Sequence, residues 1–412
     1  MSNTFDLIIA GAGPAGSAAA IRAASAGLSV ALLDKASQFP RTKACGDALT
    51  PLAVEALHRL GVPLPPGTQP VRGLAAWGEA DHPQLYPWPG HLTQSVTVPR
   101  DRLDAHLLEA ARQAGAHVQL GETITGLRLD GDRCRGLMTA SGQWLAPVVI
   151  DAAGASSRLG AAAGMPRLAS RPSGVAVRGY MTGAPEATGP WLHLWLALSG
   201  ADRRPLPGYG WVFPLGDGLY NVGVGQLSTS ATYQKTNYRE LLQEWVATLP
   251  PEWQLRWLRP DSGPVITGAM LPMGLDRRLV YRRGVLLTGD AAGLVNPFNG
   301  EGVSYALESG DMAGRAVAQA ARAGFGTAAA EAALQGYHQA IKARYGRYFW
   351  AGNLFTVLMG NQAFLDACVR YGLPRRAVMR VVNKLMANLI APTGGPLDDR
   401  ILRTALRIVP SA

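Results

Sequence analysis

Cysteine is scarce in this 412-residue chain: Cys45, Cys134 and Cys368 are its only three, and no two form a C-x-x-C pair. That spacing disfavours a disulfide framework or a zinc site and fits a reducing cytosol. The seven histidines are equally scattered, so no metal is expected. Charged residues make up only 17% against 48% hydrophobic, which excludes an intrinsically disordered chain. No charged segment introduces a short apolar run at the start. Met1 leads through Asp6 straight into a strand-like segment, so no secretory signal is expected. An uncharged stretch from Tyr348 through Leu365 is near the length of a membrane span. Gly352, Asn353, Gly360, Asn361 and Gln362 interrupt it, so the expectation is a core or tunnel-lining helix.

The formal charge of +10 is concentrated at the end, where eight Lys or Arg follow from Arg370 onward against two acids, Asp398 and Asp399. Two readings stand side by side, a solvated helix face and a surface that approaches anionic lipid or a pyrophosphate. Nucleic acid is not expected, because no binding motif or basic-aromatic platform accompanies the charge. The expected location is cytoplasmic, with a peripheral position on the cytoplasmic membrane face as its refinement.

The length exceeds what one hydrophobic core usually serves, so interleaved domains are expected. FDLIIA, GAGPAG, an alanine-rich stretch and SVALLD read as strand, glycine turn, helix and strand. Short β-like runs from residue 165 to 275 suggest a mostly antiparallel sheet, and the first pattern returns at Gly284. The predicted class is α/β, α+β overall: a split Rossmann-like domain from 1–61, 96–164 and 276–325. A β-sheet domain from 62–95 and 165–275 is inserted in it, and a helical region covers 326–412.

Gly11, Gly13 and Gly16 form a G-x-G-x-x-G between a buried strand and a helix, with Asp34 at the end of the next strand. The first glycine permits a tight turn, the second lets backbone approach a pyrophosphate, and the third lets helix pack on strand. The phosphates would sit over the helix N-terminus, and Asp34 would accept from a ribose. A second turn, LLTGDAAGLVNPFNGEG at 286–302, sets Asp290 directly after a strand and a glycine.

Two such turns separated by a β domain resemble the FAD-binding fold of the aromatic hydroxylase and geranylgeranyl reductase superfamily. The resemblance covers nearly the whole chain and implies that FAD is the cofactor. It implies that Ala15, Asp34, Lys35, Arg100, Ile124, Asp290, Gly300, Gly302 and Val303 line it, with Cys45 and Gly46 touching the flavin. PRTKACGDAL at 40–49 and PGYGWVFPLGDGLYNVGVG at 207–225 are similar to the geranylgeranyl reductases, and within them to the actinobacterial menaquinone reductases. By that resemblance Tyr209, Trp211, Phe213 and Pro214 line the substrate cavity. Cys45, Tyr209 and Trp211 are the catalytic candidates; two readings of Cys45 stand, a thiol whose pKa Lys43 lowers and an inert, buried cysteine.

Alternation puts Tyr209, Trp211 and Phe213 on one strand face and Gly210 and Val212 on the other. If that face is a cavity wall, replacing Trp211 should spare stability; if it is core, it should not. The implied reaction is reduction of an isoprenoid double bond, on a polyprenyl quinone or a geranylgeranyl group, with the proton from an acid or ordered water. Flavin hydroxylases carry an Asp-Gly pair where this chain has Ala153-Gly154, which puts direct use of a nicotinamide in doubt. The donor therefore stays open among NAD(P)H, ferredoxin, another electron-donor protein or a different reductant. Rival readings are a flavin monooxygenase or halogenase, and a non-catalytic flavin and lipid carrier.

Overall fold

A computed structural model describes residues 3–78, 82–88, 92, 94–185, 187–199, 204–258, 264–391 and 393–412. The remaining positions of 62–95 and 165–275 lie outside the described residues.

Short runs of aliphatic residues with no polar alternation form strands buried on both faces, as parallel sheets require. Leu7–Ala10, Val30–Asp34, Val148–Asp151 and Val285–Leu287 are of this kind. They sit in one six-stranded sheet, in the order Tyr281–Arg282, Val285–Leu287, Val148–Asp151, Leu7–Ala10, Val30–Asp34, His117–Leu120. All neighbours are parallel except the edge pair Tyr281–Arg282 and Val285–Leu287. The helices Pro14–Ala24 and Val303–Arg322 pack closely on one another. A Cβ on Gly310 would stand 2.1 Å from the carbonyl oxygen of Ala15.

An eight-stranded sheet draws on residues 73–87 and 173–272. Its order is Arg256–Trp257, Ser173–Thr182, Leu219–Leu227, Gly208–Gly216, Trp191–Trp195, Gly73–Trp77 and Gln84–Pro87, with Thr267–Pro272 also pairing Ser173–Thr182. It is antiparallel but for one departure: Trp191–Trp195 runs parallel to Gly73–Trp77, where the chain returns from a distant segment. A helix not foreseen in this region, Tyr238–Val246, is capped by Asn237 and covers one face. Val212, Val222 and Val224 point into the core beneath it with Leu242 and Trp245. The sheet's other face is turned toward the cavity described below.

The C-terminal region is helical as expected, with Ala328–Met359, Gln362–Ala367, Arg376–Met386 and Leu397–Ile408. The uncharged stretch is broken at Gly360, and among the described residues no helix is long and apolar enough to cross a membrane.

Candidate functional site

Three parallel neighbours, Leu7–Ala10, Val148–Asp151 and Val285–Leu287, end side by side, with Ala10 opposite Asp151 and Asp151 opposite Leu287. Their following turns, Gly11–Gly13, Ala152–Gly154 and Thr288–Asp290, therefore meet at the carboxyl edge of the sheet, where open α/β folds bind ligands. Gly11 has φ +101°, and a Cβ there would lie 2.6 Å from the Ala152 carbonyl oxygen. A Cβ on Gly16 would collide with the Gly11 carbonyl oxygen at 1.8 Å, so this glycine acts through packing and does not itself line the cavity. Gly13 is different: the nearest atom to its Cβ position is an Arg41 nitrogen at 3.7 Å, which leaves the helix start open to an anion.

Asp34 fixes this turn from behind. One carboxylate oxygen accepts from the Ala12 N–H at 2.8 Å and the other from Ala36. Arg41 stands 3.4 Å from Asp34 and 3.8 Å from Asp104 beside the glycine turn, and among the described residues its buried Nε has no hydrogen-bond partner. Across the site Asp290 lines the cavity, and among the described residues its carboxylate accepts no hydrogen bond. Burial pushes its pKa up, while Lys43, Arg100 and Arg167 pull the other way. An open helix start, the Arg41 guanidinium beside it and the Asp290 carboxylate across the cavity fit a ligand that carries both phosphate and ribose-type hydroxyls, as FAD does.

These turns open into a single cavity of about 780 Å³. It is lined by every expected site residue except Gly16 and Pro214, with Lys35 exposed on its rim. Pro214 corrects the expectation. Its even-numbered place on Gly208–Gly216 turns it away, and its carbonyl is held by the Thr97 hydroxyl. Tyr209, Trp211 and Phe213 share the cavity face as alternation predicts, while Gly210 lies against Trp245 on the opposite side. Phe213 and Trp211 stand over Gly46, where a Cβ would be 3.1 Å and 3.6 Å from their rings. The Tyr209 hydroxyl donates to the Asn299 carbonyl at 2.5 Å, which links the aromatic strand to the loop that precedes Val303–Arg322.

The Cys45–Asp47 loop is held by polar residues that the sequence did not single out. Asn221 donates to the Cys45 carbonyl at 2.8 Å and to Asp47 at 2.7 Å, and Tyr180 donates to Asp47 at 2.8 Å. The Arg100 N–H also donates to Asp47, and the Arg100 side chain is paired with the fully buried Asp104. Of the two readings of Cys45, the one in which Lys43 lowers the thiol pKa does not hold. Burial pushes the thiol pKa up, and the cation that opposes it is Arg100, while the sulfur accepts from the Asp47 N–H at 3.3 Å. Asp151, two residues before Ala153-Gly154, caps its own turn by accepting from the Ala153 N–H and the Ser157 hydroxyl.

Beyond the aromatic strand the cavity becomes apolar. Leu74, Leu192 and Leu194 of the sheet form one wall, and Phe355, Met379 and Met386 of the C-terminal helices form the other. Val378 lines this part yet is 42% exposed, which puts the cavity's mouth at the C-terminal helices. A single amide in a buried strand, as in LYNVGVG, was the available signal for Asn221. No periodicity marked the helix Arg376–Met386 as a cavity wall, because helical spacing does not say what an apolar face meets.

A family model described as "FAD binding domain" matches residues 4–347. The menaquinone reductase of Mycolicibacterium smegmatis is 34% identical over 411 residues, 98% of this chain and 97% of that protein. The digeranylgeranylglycerophospholipid reductase 2 of Methanosphaera stadtmanae is 29% identical over 333 residues, 77% of this chain and 79% of its own. Among solved structures, a geranylgeranyl bacteriochlorophyll reductase-like protein from Thermoplasma acidophilum superposes with a TM-score of 0.78 at 22% identity. That match covers 97% of this chain and 99% of the other, and it speaks for the fold. With two nucleotide-type turns, a cavity between them and matches along its length, the chain belongs to the FAD-binding family, in the group that holds the geranylgeranyl and menaquinone reductases.

Proposed function

We propose that this protein reduces carbon–carbon double bonds of an isoprenoid chain, first the polyprenyl side chain of a quinone and second a geranylgeranyl group. The observation that carries the reading is the continuity of one cavity from the glycine turn and Asp290, past Cys45 and the aromatic strand, into an apolar tunnel. The eight-stranded sheet and the C-terminal helices serve as the substrate-binding part, and the six-stranded sheet with its helices serves the cofactor.

Gly11, Gly13 and Ala15 would receive the pyrophosphate with help from Arg41, Asp34 and Lys35 would serve the adenosine end, Asp290 would hold cofactor hydroxyls, Arg100 and Ile124 would complete the wall, and Cys45, Gly46, Gly300, Gly302 and Val303 would border the ring. Reduced FAD, when bound, supplies the hydride that an unactivated alkene requires. Tyr209, Trp211 and Phe213 orient the alkene and exclude water, since the reacting atoms must be held at about 3–3.5 Å. The half-buried Cys45 thiol, its pKa raised, keeps its proton at neutral pH and can give it to the second alkene carbon, with the charge of Arg100 favouring the thiolate that remains.

The reductant comes from outside this site, as NAD(P)H, ferredoxin or another donor. The monooxygenase or halogenase reading predicts NADPH oxidation stimulated by a phenol, and the carrier reading predicts flavin binding without turnover. Access for a lipid is peripheral: Leu397, Ile401 and Ile408 are exposed on the same helix as Arg400 and Arg407, a composition suited to an anionic bilayer surface. Mass spectrometry of lipids and quinones from cells with and without the protein tests the reading. It expects a shift of two hydrogens per reduced bond in a polyprenyl species, and identical profiles would count against it.

A further inference from the structure

Asp47 holds a backbone conformation that favours glycine. It follows Cys45 and Gly46, its φ is +64°, in the left-handed region, and it is 1% exposed. Aspartate enters that region more readily than most residues, yet at a steric cost that glycine avoids. Its surroundings hold it there. The Asp47 carbonyl accepts from the Val98 N–H at 2.8 Å, and one carboxylate oxygen accepts from the Arg100 N–H at 3.0 Å. The other oxygen accepts from the Tyr180 hydroxyl at 2.8 Å and from the Asn221 amide at 2.7 Å. These donors come from separate elements, the helix Arg100–Gln113 and the strands Ser173–Thr182 and Leu219–Leu227. Burial pushes the Asp47 pKa up, but groups that all donate to it, with the Arg178 charge facing it, suit the ionised carboxylate.

With its oxygens anchored in this way, Asp47 turns its N–H to the Cys45 sulfur at 3.3 Å. An N–H there occupies a sulfur lone pair and leaves the S–H proton for another acceptor. Asp47 thus acts on the thiol twice. Burial comes first among the causes that raise the Cys45 pKa; the Arg100 charge opposes it, the Asp47 carboxylate adds to it and the Asp47 N–H takes from it. Tyr209 is the other titratable group coupled to the sulfur, while Lys43 acts on Asp290.

We infer that Asp47 is the positioning residue for proton delivery from Cys45: its left-handed turn fixes the sulfur through the N–H, and its carboxylate balances the Arg100 charge beside the thiol. This rests on the role given to Cys45 above and deepens it. In that step the S–H bond breaks as a C–H bond forms at the second alkene carbon, and the negative charge stays on sulfur, beside the Asp47 N–H. A residue that only shaped the chain at this point could be glycine.

The test reads the thiol itself. FAD-loaded protein is treated with iodoacetamide over a range of pH, and mass spectrometry follows the Cys45 peptide apart from those of Cys134 and Cys368. The thiolate is the reacting form, so rate against pH gives the midpoint of the thiol. Asp47→Asn keeps an acceptor oxygen and a residue suited to the left-handed region but loses the charge. Its Cys45 should react severalfold faster than that of the wild type below the midpoint. Its turnover of a polyprenyl quinone with a chemical reductant should fall away at lower pH than the wild type's. Asp47→Ala loses charge and anchor together and should lose turnover at every pH. A purely structural role would change the yield of folded protein and leave the midpoint in place. A Cys45 profile in Asp47→Asn that coincides with the wild type's, or lies at higher pH, overturns the inference, whether or not Asp47→Ala folds. A thiol midpoint that moves while the pH profile of turnover stays also overturns it. A wild type that reduces no polyprenyl chain takes down the isoprenoid reading, and the thiol profile still decides whether Asp47 governs Cys45.

Discussion

The indole N–H of Trp211 donates to the amide oxygen of Asn221 at 2.8 Å, and Asn221 passes the connection on to Cys45 and Asp47. The aromatic strand and the cysteine loop are thus one hydrogen-bonded unit. This changes what a Trp211 substitution reports. The ring is 4% exposed and sits on Gly223, where a Cβ would be 2.2 Å from it, so Trp211 is at once cavity wall and core. Trp211→Ala should cost about 3–5 kcal/mol of stability, against the expectation that a cavity-lining tryptophan could be removed without loss. Tyr209, only partly buried, is the cleaner probe. Tyr209→Ala should lower turnover of a long polyprenyl substrate while flavin content holds, measured alongside the melting temperature. Unchanged turnover would take this strand out of the substrate site.

Gly13 caps the helix Pro14–Ala24, and aspartate is a favoured residue at such a position. Gly13→Asp should therefore fold yet lose its yellow colour, because a carboxylate would occupy the space needed by the pyrophosphate. Asp290→Ala should weaken FAD by about 1.5–3 kcal/mol, the contribution of a hydrogen-bonded charged group. Flavin titration of the two apoproteins checks both. Full flavin content in Gly13→Asp would remove the glycine turn from the cofactor site.

His193 shows how pH should act on the fold. It is 4% exposed, accepts from the Trp77 indole at 2.8 Å and lies 2.8 Å from the Thr188 carbonyl, an arrangement that suits the neutral ring. Burial lowers its pKa to about 4 from the ordinary 6.5. The unfolded chain therefore takes up a proton first as pH falls. Stability is full above the unfolded pKa and declines by about 1.4 kcal/mol per pH unit between the two values. His193→Gln should flatten that part of the profile of melting temperature against pH. An identical slope in wild type and variant would assign the acid sensitivity to other groups.

The C-terminal charge is less available than its count suggests. Lys384 is held by both acids of the segment, and Arg403 donates to the carbonyls of Ala391 and Gly394. Arg370, Arg375, Arg376, Arg380, Arg400 and Arg407 stay exposed, the last two on one helix with the exposed Leu397, Ile401 and Ile408. Each surface Lys or Arg contributes about 1 kcal/mol near an anionic bilayer, screened by salt. Co-sedimentation with anionic vesicles should therefore fall as salt rises and fall further in Ile401→Asp. No binding at low salt would exclude the membrane role.

Much of this was legible because local rules decide it. The run LIIA, the glycine spacing and Asp34 specify a strand, turn and strand whatever the rest of the chain does. The faces of Tyr209, Trp211 and Phe213 follow from strand period alone. What stayed hidden depends on distant partners. Asn221 reads as one amide in a strand until Cys45 and Asp47 are brought to it. Lys43 precedes Cys45 in sequence, but Arg100 is the cation whose charge opposes the rise of the thiol pKa. The helix Arg376–Met386 gives no hint that its Met379 and Asn383 wall a cavity that begins at Gly11.

The central claim is tested most directly by supplying purified, FAD-loaded protein with a chemical reductant and a polyprenyl quinone under anaerobic conditions. The product is then read by mass spectrometry and fragmentation. The account predicts a gain of two hydrogens per event located in the polyprenyl chain, absent with Gly13→Asp. Reoxidation of the flavin with the chain's double bonds intact, or with change confined to the quinone ring, would contradict it.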